Sequence, residues 1–128
     1  MLKFHTWTIG SAWVADYGSP DDPEMFDYLY SYSPLHNIRE DKTYPCFIVS
    51  SGDHDDRVVP AHSFKMAAEL QHKLKNIPNP VLLRVELNAG HGAGKSMQKR
   101  IDEAADRVAI TAQALGLRMR KSSSTSQL

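Results

Sequence analysis

Residues able to do chemistry concentrate in two short segments of this 128-residue chain. The first reads DHDDR at 53–57 and directly follows an apolar run. The second reads NAGHGAGK at 88–95 and sets one histidine among three glycines. Ordinary turns use Gly, Asn, Asp or Pro in ones and twos, so three carboxylates, an imidazole and a guanidinium on one loop indicate more than a turn. A carboxylate and an imidazole are the groups that proton transfer to and from a nucleophile requires.

Alternating strand and helix patterns surround the two segments. Pro45–Ser50 is a short apolar run that predicts a buried parallel strand, apolar on both faces. Residues 62–75 have apolar side chains at helical spacing, and 81–87 predict a second strand. A final helix is predicted from residue 97 to 115, with Gly116 as its stop.

An earlier helix is predicted from its start signals. Asp22 is placed as the N-cap and Pro23 at the first helical position, and the helix should stop before Pro34. The strand–helix–strand–helix order that follows is typical of an α/β fold with a short, mainly parallel sheet flanked by helices. Because functional side chains gather beyond the carboxyl ends of such strands, the two polar segments should lie side by side.

An acid after one strand and a histidine after the next match the end of the α/β-hydrolase triad, whose chain order is nucleophile, acid, histidine. In such a triad the acid holds one ring nitrogen and the other nitrogen takes the proton of the nucleophile. The spacing alone leaves open that His91 is a turn histidine with a local hydrogen bond.

Two other kinds of site fit the segments poorly. A phosphate-binding loop of the type G-x-x-x-x-G-K-[ST] would need glycine where Ala89 stands. A divalent metal is disfavoured because the acidic segment lacks the D-x-D-x-D-G ligand order and contains Arg57. We therefore expect no metal and no cofactor.

Composition narrows the function classes further. Fifteen basic and fifteen acidic side chains give no net charge, which disfavours nucleic acid or an anionic membrane as partner. No apolar run approaches the ~20 residues that cross a bilayer, and the first ten residues lack the layout of a secretory signal. With Cys46 as the only cysteine, no internal disulfide can form, so a cytoplasmic setting is predicted.

Four segments together carry a family resemblance. In chain order they are TIGSAWVADYG at 8–18, YSPLHNI at 32–38, GDHDDRVVP at 52–60 and NAGHGAGK at 88–95. They closely resemble the C-terminal part of prolyl oligopeptidases, serine peptidases with an α/β-hydrolase fold capped by a β-propeller. The resemblance implies that residues 1–118 are the C-terminal part of the catalytic domain, and 119–128 are predicted to be a disordered tail.

The resemblance also implies roles for six residues. They are the triad acid Asp55, the general base His91, and the substrate-binding residues Arg57, Trp13, Tyr17 and Val58. The expected partners are short proline-containing peptides: an indole suits a flat pyrrolidine ring, and a guanidinium donates hydrogen bonds to a substrate carbonyl at any pH. Without the family, Trp13 and Tyr17 could equally be core aromatics.

A serine hydrolase also needs a nucleophile on a G-x-S-x-G elbow upstream of the acid. The only glycines spaced in this way, Gly90 and Gly94, have Gly92 at their centre. We therefore expect the elbow serine, the oxyanion donors and the propeller to lie before Met1, which would then be an internal methionine or the start of a truncated gene model. By itself the chain is expected to be marginally stable and inactive.

Two alternatives stay open. One is a fragment of a related serine peptidase or esterase with a different preference at the cleaved bond. The other is a non-catalytic fragment that binds proline-containing peptides through Trp13 and Arg57.

Overall fold

The computed structural model describes residues 1–92 and 95–118. They fall into two compact units, Met1–Ser96 and a second unit that begins at Met97. The tail predicted at 119–128 lies outside the described residues.

The first unit opens with short helical turns that the sequence patterns did not predict. Two 3-10 segments, Phe4–Thr6 and Thr8–Trp13, lead into a single helical turn, α1 (Val14–Tyr17). Segments this short have too few residues to show an apolar period, which explains the omission. Thr8 has a φ of +48°, and its hydroxyl donates a hydrogen bond to the Arg57 carbonyl oxygen at 3.2 Å.

Helix α2 (Pro23–Tyr32) begins and ends as predicted. The Asp22 carboxylate accepts a hydrogen bond from the Glu24 N–H at 3.0 Å, so it caps the helix. A further 3-10 turn, Pro34–His36, follows directly.

Two parallel strands form the sheet of this unit. Strand β1 (Phe47–Gly52) pairs in register with β2 (Val81–Glu86), and α3 (Pro60–Lys73) lies between them in sequence. This confirms the α/β class. The predicted bounds shift by two residues at β1, whose ladder begins where the Phe47 N–H donates to the Pro80 carbonyl oxygen at 3.0 Å. Pro45 has no N–H and is unable to start that ladder.

The expectation that Pro45–Ser50 forms a buried strand is wrong, because none of Phe47–Val49 is fully buried and Ser50 is exposed. In β2, Leu82 and Leu83 are each 37% exposed. Within the described residues the sheet has only two strands, so each strand has one hydrogen-bonded neighbour and a free edge.

The apolar core of the first unit lies beside α3. Ile38, Leu70 and Leu74 form its buried cluster, and Phe47, Val49 and Val81 of the two strands are among the residues packed against it. Helix α3 therefore holds the sheet from one side and sets the position of the loops that follow each strand.

The second unit contains α4 (Met97–Ala114). The helix ends as predicted, because Gly116 adopts a φ of +67° and the Leu117 N–H donates back to the Ala112 carbonyl oxygen at 2.8 Å. Among the described residues, no helix combines the length and apolar character that a membrane crossing requires.

Candidate active site

The two polar loops meet at one edge of the sheet. Beyond the end of β1, the Asp53 N–H donates to the Glu86 carbonyl oxygen at 3.1 Å, and the His54 N–H donates to the Ala89 carbonyl oxygen at 3.0 Å. These hydrogen bonds continue the parallel ladder past the strands. They bring the acidic loop against the loop that carries His91.

Asp55 and His91 form a direct contact. The Nδ1 atom of His91 lies 2.9 Å from Oδ2 and 3.1 Å from Oδ1 of Asp55. An ionised carboxylate only accepts hydrogen bonds, so Nδ1 carries the hydrogen and Nε2 is left as the basic nitrogen. The Asp55 side chain is 11% exposed and that of His91 is 45% exposed. Asp55 is thus shielded from solvent, whereas His91 is accessible to a third group. This arrangement suits proton transfer between His91 and that group.

Main-chain hydrogen bonds hold Asp55 in its ionised form. Partial burial acts to raise its pKa, but the hydrogen bonds from the Val58 N–H, His91 and the Arg57 N–H outweigh it, so the pKa of Asp55 lies below its ordinary value. The two N–H groups donate to Oδ1 at 2.8 Å from Val58 and 3.1 Å from Arg57. The loop that supplies the acid thus also orients it.

The Asp53 carboxylate has different hydrogen-bond partners from that of Asp55. Its Oδ1 accepts hydrogen bonds from Nδ1 of His54 at 2.7 Å and from the Ala89 N–H at 3.1 Å. The pKa of Asp53 is lowered to about 2, first by His54 and also by the N–H groups of Asn88 and Ala89, against an opposing effect of burial. Asp53 is not among the six residues for which the family resemblance implied a role. The spacing of residues in the sequence did not predict its contact with the loop that carries His91.

A cavity of about 500 Å³ opens beside the Asp55–His91 pair. It brings together His91 and all four residues predicted to bind substrate: Trp13, Tyr17, Arg57 and Val58. Trp13 and Tyr17 are 38% and 47% exposed, so they are surface residues of a cavity and not core aromatics.

Several residues of the cavity lining were not singled out from the sequence, and Trp7 and His62 are two of them. The rings of Trp7 and His62 lie 4.7 Å apart, and both line the cavity. Burial, the N-terminal ammonium and Lys65 together lower the pKa of His62. Neither residue stands in a motif, because Trp7 lies between the two 3-10 segments and His62 lies in the first turn of α3.

In the part of the chain that the structure describes, no group of three or more His, Cys, Asp or Glu side chains is arranged to hold a metal ion.

Comparison with known proteins assigns the family. The sequence model of the prolyl oligopeptidase family matches residues 1–118. The chain therefore belongs to the prolyl oligopeptidase family, peptidases of the α/β-hydrolase fold.

Individual relatives agree with this assignment. The chain is 57% identical over 117 residues to prolyl oligopeptidase A of Galerina marginata, which covers 91% of this chain and 16% of that protein. It is 48% identical to the prolyl endopeptidase of Elizabethkingia meningoseptica, over 94% of this chain and 17% of that protein. Among solved structures, prolyl oligopeptidase B of Galerina marginata, bound to a 35-mer hydrolysis and macrocyclization substrate, matches with a TM-score of 0.86 at 45% identity. That match covers 94% of this chain and 17% of that structure.

The chain thus spans about one-sixth of the length of the relatives that it matches.

Proposed function

We propose that residues 1–118 are the C-terminal part of the catalytic domain of a serine endopeptidase that cleaves short peptides after proline. In this proposal Asp55 is the triad acid and His91 the general base. The observation that carries it is the hydrogen bond of 2.9 Å between Asp55 Oδ2 and His91 Nδ1, at a cavity shared with Trp13 and Arg57.

The reaction needs a serine that these 128 residues do not place on an elbow. We place that serine, with the oxyanion donors and the β-propeller, in the remainder of the enzyme. Its hydroxyl oxygen attacks the carbonyl carbon after proline, while Nε2 of His91 takes the hydroxyl proton. His91 then gives the proton to the leaving amine as the C–N bond breaks, and water hydrolyses the acyl-enzyme by the same route. Asp55 holds the ring and stabilises the imidazolium throughout.

The cavity accounts for the preference for proline. Trp13 offers a flat apolar face for the pyrrolidine ring, and Tyr17 and Val58 close the sides. Arg57 donates to a carbonyl oxygen of the peptide backbone, which fixes the distance of the scissile bond from His91.

The proposal is best tested in a chimera. Residues 1–118 replace the matching segment of Galerina marginata prolyl oligopeptidase A, and the turnover of a fluorogenic substrate with proline before the cleaved bond is measured. Asp55→Asn should lower kcat by roughly 10⁴-fold and His91→Ala by about 10⁶-fold, the losses seen when the acid or the base of a triad is removed. Asp56→Asn, a change of the adjacent exposed acid, should stay within about twofold of the unsubstituted chimera.

Two outcomes would reject the proposal. One is a folded chimera without turnover beside an active parent enzyme. The other is a His91→Ala variant that keeps its activity. The isolated 128-residue chain should show no proline-specific turnover, so turnover by that chain that is lost in His91→Ala would also contradict the proposed division of roles.

Substrate preference distinguishes this proposal from the alternative of a related peptidase with a different preference at the cleaved bond. A chimera that prefers alanine over proline before that bond would favour the alternative.

A second candidate function is peptide binding without catalysis. It is favoured by the cavity, whose lining includes Trp13, Tyr17, Arg57 and Val58. Titration of the 128-residue chain with a proline-containing peptide, followed by tryptophan fluorescence, tests it, with a Trp13→Phe variant as control.

We also propose a cytoplasmic location. Cys46 is the only cysteine of the chain and is free, which suits a reducing compartment. Fractionation of cells that express the tagged parent protein would test this.

A further inference from the structure

We infer that Asp53 is a positioning residue that holds the His91 loop at the correct distance from Asp55. This inference rests on the proposed function, in which the Asp55–His91 contact drives catalysis. It concerns a carboxylate that touches neither the cavity nor His91.

The first support is the geometry at the start of the histidine loop. Asn88 adopts a φ of +52°, in the left-handed region. Successive main-chain N–H groups around such a residue form a concave site for an anion. The N–H groups of Asn88 and Ala89 both hydrogen-bond to the Asp53 carboxylate, with Ala89 N at 3.1 Å from Oδ1. The carboxylate thereby holds the turn from which the loop leaves β2.

The second support is the number of links between the two loops. Asp53 joins them through its carboxylate and through its N–H, which donates to the Glu86 carbonyl oxygen. The next residue adds the His54 N–H to Ala89 carbonyl bond of 3.0 Å. Asp55 stands one position beyond His54, and His91 stands two beyond Ala89. A shift at Ala89 is therefore passed to His91 over a very short length of chain.

The third support is how His91 is anchored, because the side-chain hydrogen bonds described for its ring are those to Asp55. Its ring is 45% exposed, so packing alone does not hold it. Gly90 and Gly92 on either side have no side chains to pack. In such a loop a displacement of about 1 Å at the base can cost on the order of 10²-fold in rate.

Asp53→Ala in the chimera described above should lower kcat by roughly 10- to 100-fold and change KM by less than about threefold, because the cavity residues are untouched. Asp53→Asn keeps one acceptor oxygen for the Ala89 N–H and should recover a large part of kcat. Asp56→Asn is the matched control, since it removes a charge from the same loop. Circular dichroism of each variant shows whether it folds.

Loss of kcat in Asp53→Ala with partial recovery in Asp53→Asn supports the inference. A folded Asp53→Ala variant with unchanged kcat overturns it, and so does an equal loss in Asp56→Asn. If Asp53→Ala does not fold, Asp53→Asn decides by itself: kcat intermediate between the unsubstituted chimera and His91→Ala supports the inference, and unchanged kcat rejects it.

A second readout separates this inference from the proposed function. In the 128-residue chain labelled with ¹⁵N-histidine, the His91 signals are assigned by their absence in His91→Ala. They should show hydrogen on Nδ1. Asp53→Ala should shift these signals and Asp56→Asn should leave them in place, whether or not the chimera is active. Unshifted His91 signals in Asp53→Ala would reject the positioning role even where the peptidase proposal holds.

Discussion

A Cβ atom on Gly52 would lie 2.3 Å from the carbonyl oxygen of Ala89. The last residue of β1 thus approaches the main chain of the histidine loop more closely than any side chain permits. We expect Gly52→Ala to push the two loops apart and to lower the free energy of unfolding by about 1–3 kcal/mol, as overpacking does. Urea melts of the 128-residue chain and its variant measure this change.

Gly90→Ala is the matched control for that experiment. The nearest atom to its added Cβ, the His54 carbonyl oxygen, is 3.7 Å away, which is an ordinary contact. Equal midpoints for Gly52→Ala and the unsubstituted chain would contradict the close approach.

The Asp53 carboxylate should make stability depend on acid pH. Its folded pKa of about 2 lies below the ordinary value of 3.8, chiefly because of His54. The unfolded state therefore binds the proton more readily, so the contribution of Asp53 is complete above about pH 5 and is lost as pH falls from 4 towards 2. Urea midpoints of the unsubstituted chain and Asp53→Asn should differ by a constant amount at pH 5–7 and converge below pH 4. A difference that grows on acidification would contradict the hydrogen bonds described for this carboxylate.

Trp13 should determine substrate affinity and not the chemical step. Trp13→Ala in the chimera removes the flat apolar face from the cavity, and we expect KM for a proline substrate to rise at least about tenfold with a smaller change in kcat. Tyr28→Ala removes an aromatic ring that is 61% exposed and lies outside the cavity lining, and it serves as control. The assignment is rejected if both variants keep the KM of the unsubstituted chimera.

We expect the free energy of unfolding of the isolated chain to be too small to tolerate the loss of a large side chain from the core beside α3. Leu70 is 1% exposed, and its replacement by alanine should cost about 2–5 kcal/mol. Because the isolated chain is expected to be marginally stable, this change should unfold it, as seen by loss of the far-ultraviolet helix signal. Ile9→Ala, at a side chain that is 48% exposed, should have little effect.

A separate urea melt tests the expectation of marginal stability. A cooperative transition with the m-value usual for a domain of 128 residues would show that expectation to be wrong.

Local patterns in the sequence determined the elements and their order. Apolar spacing and caps predicted α2, α3, both strands and α4 to within about two residues, because periodicity and capping are properties of neighbouring residues. The same patterns predicted that two polar loops would share one edge of the sheet, since parallel strands end together. Four motifs, in order, were enough to indicate the family.

Tertiary structure decided which groups the Asp53 and Asp55 carboxylates contact. Asp53, Asp55 and Asp56 are nearly equivalent in sequence, but only the parallel register brings Asp55 to His91 and Asp53 to the Ala89 N–H. It also decided that Trp13 and Tyr17 line a cavity instead of a core, because they lie in a 3-10 segment and a single α-helical turn that are too short to show a period. Such contacts join residues far apart in the chain, so their geometry depends on strand pairing and packing and is not contained in any local pattern of residues.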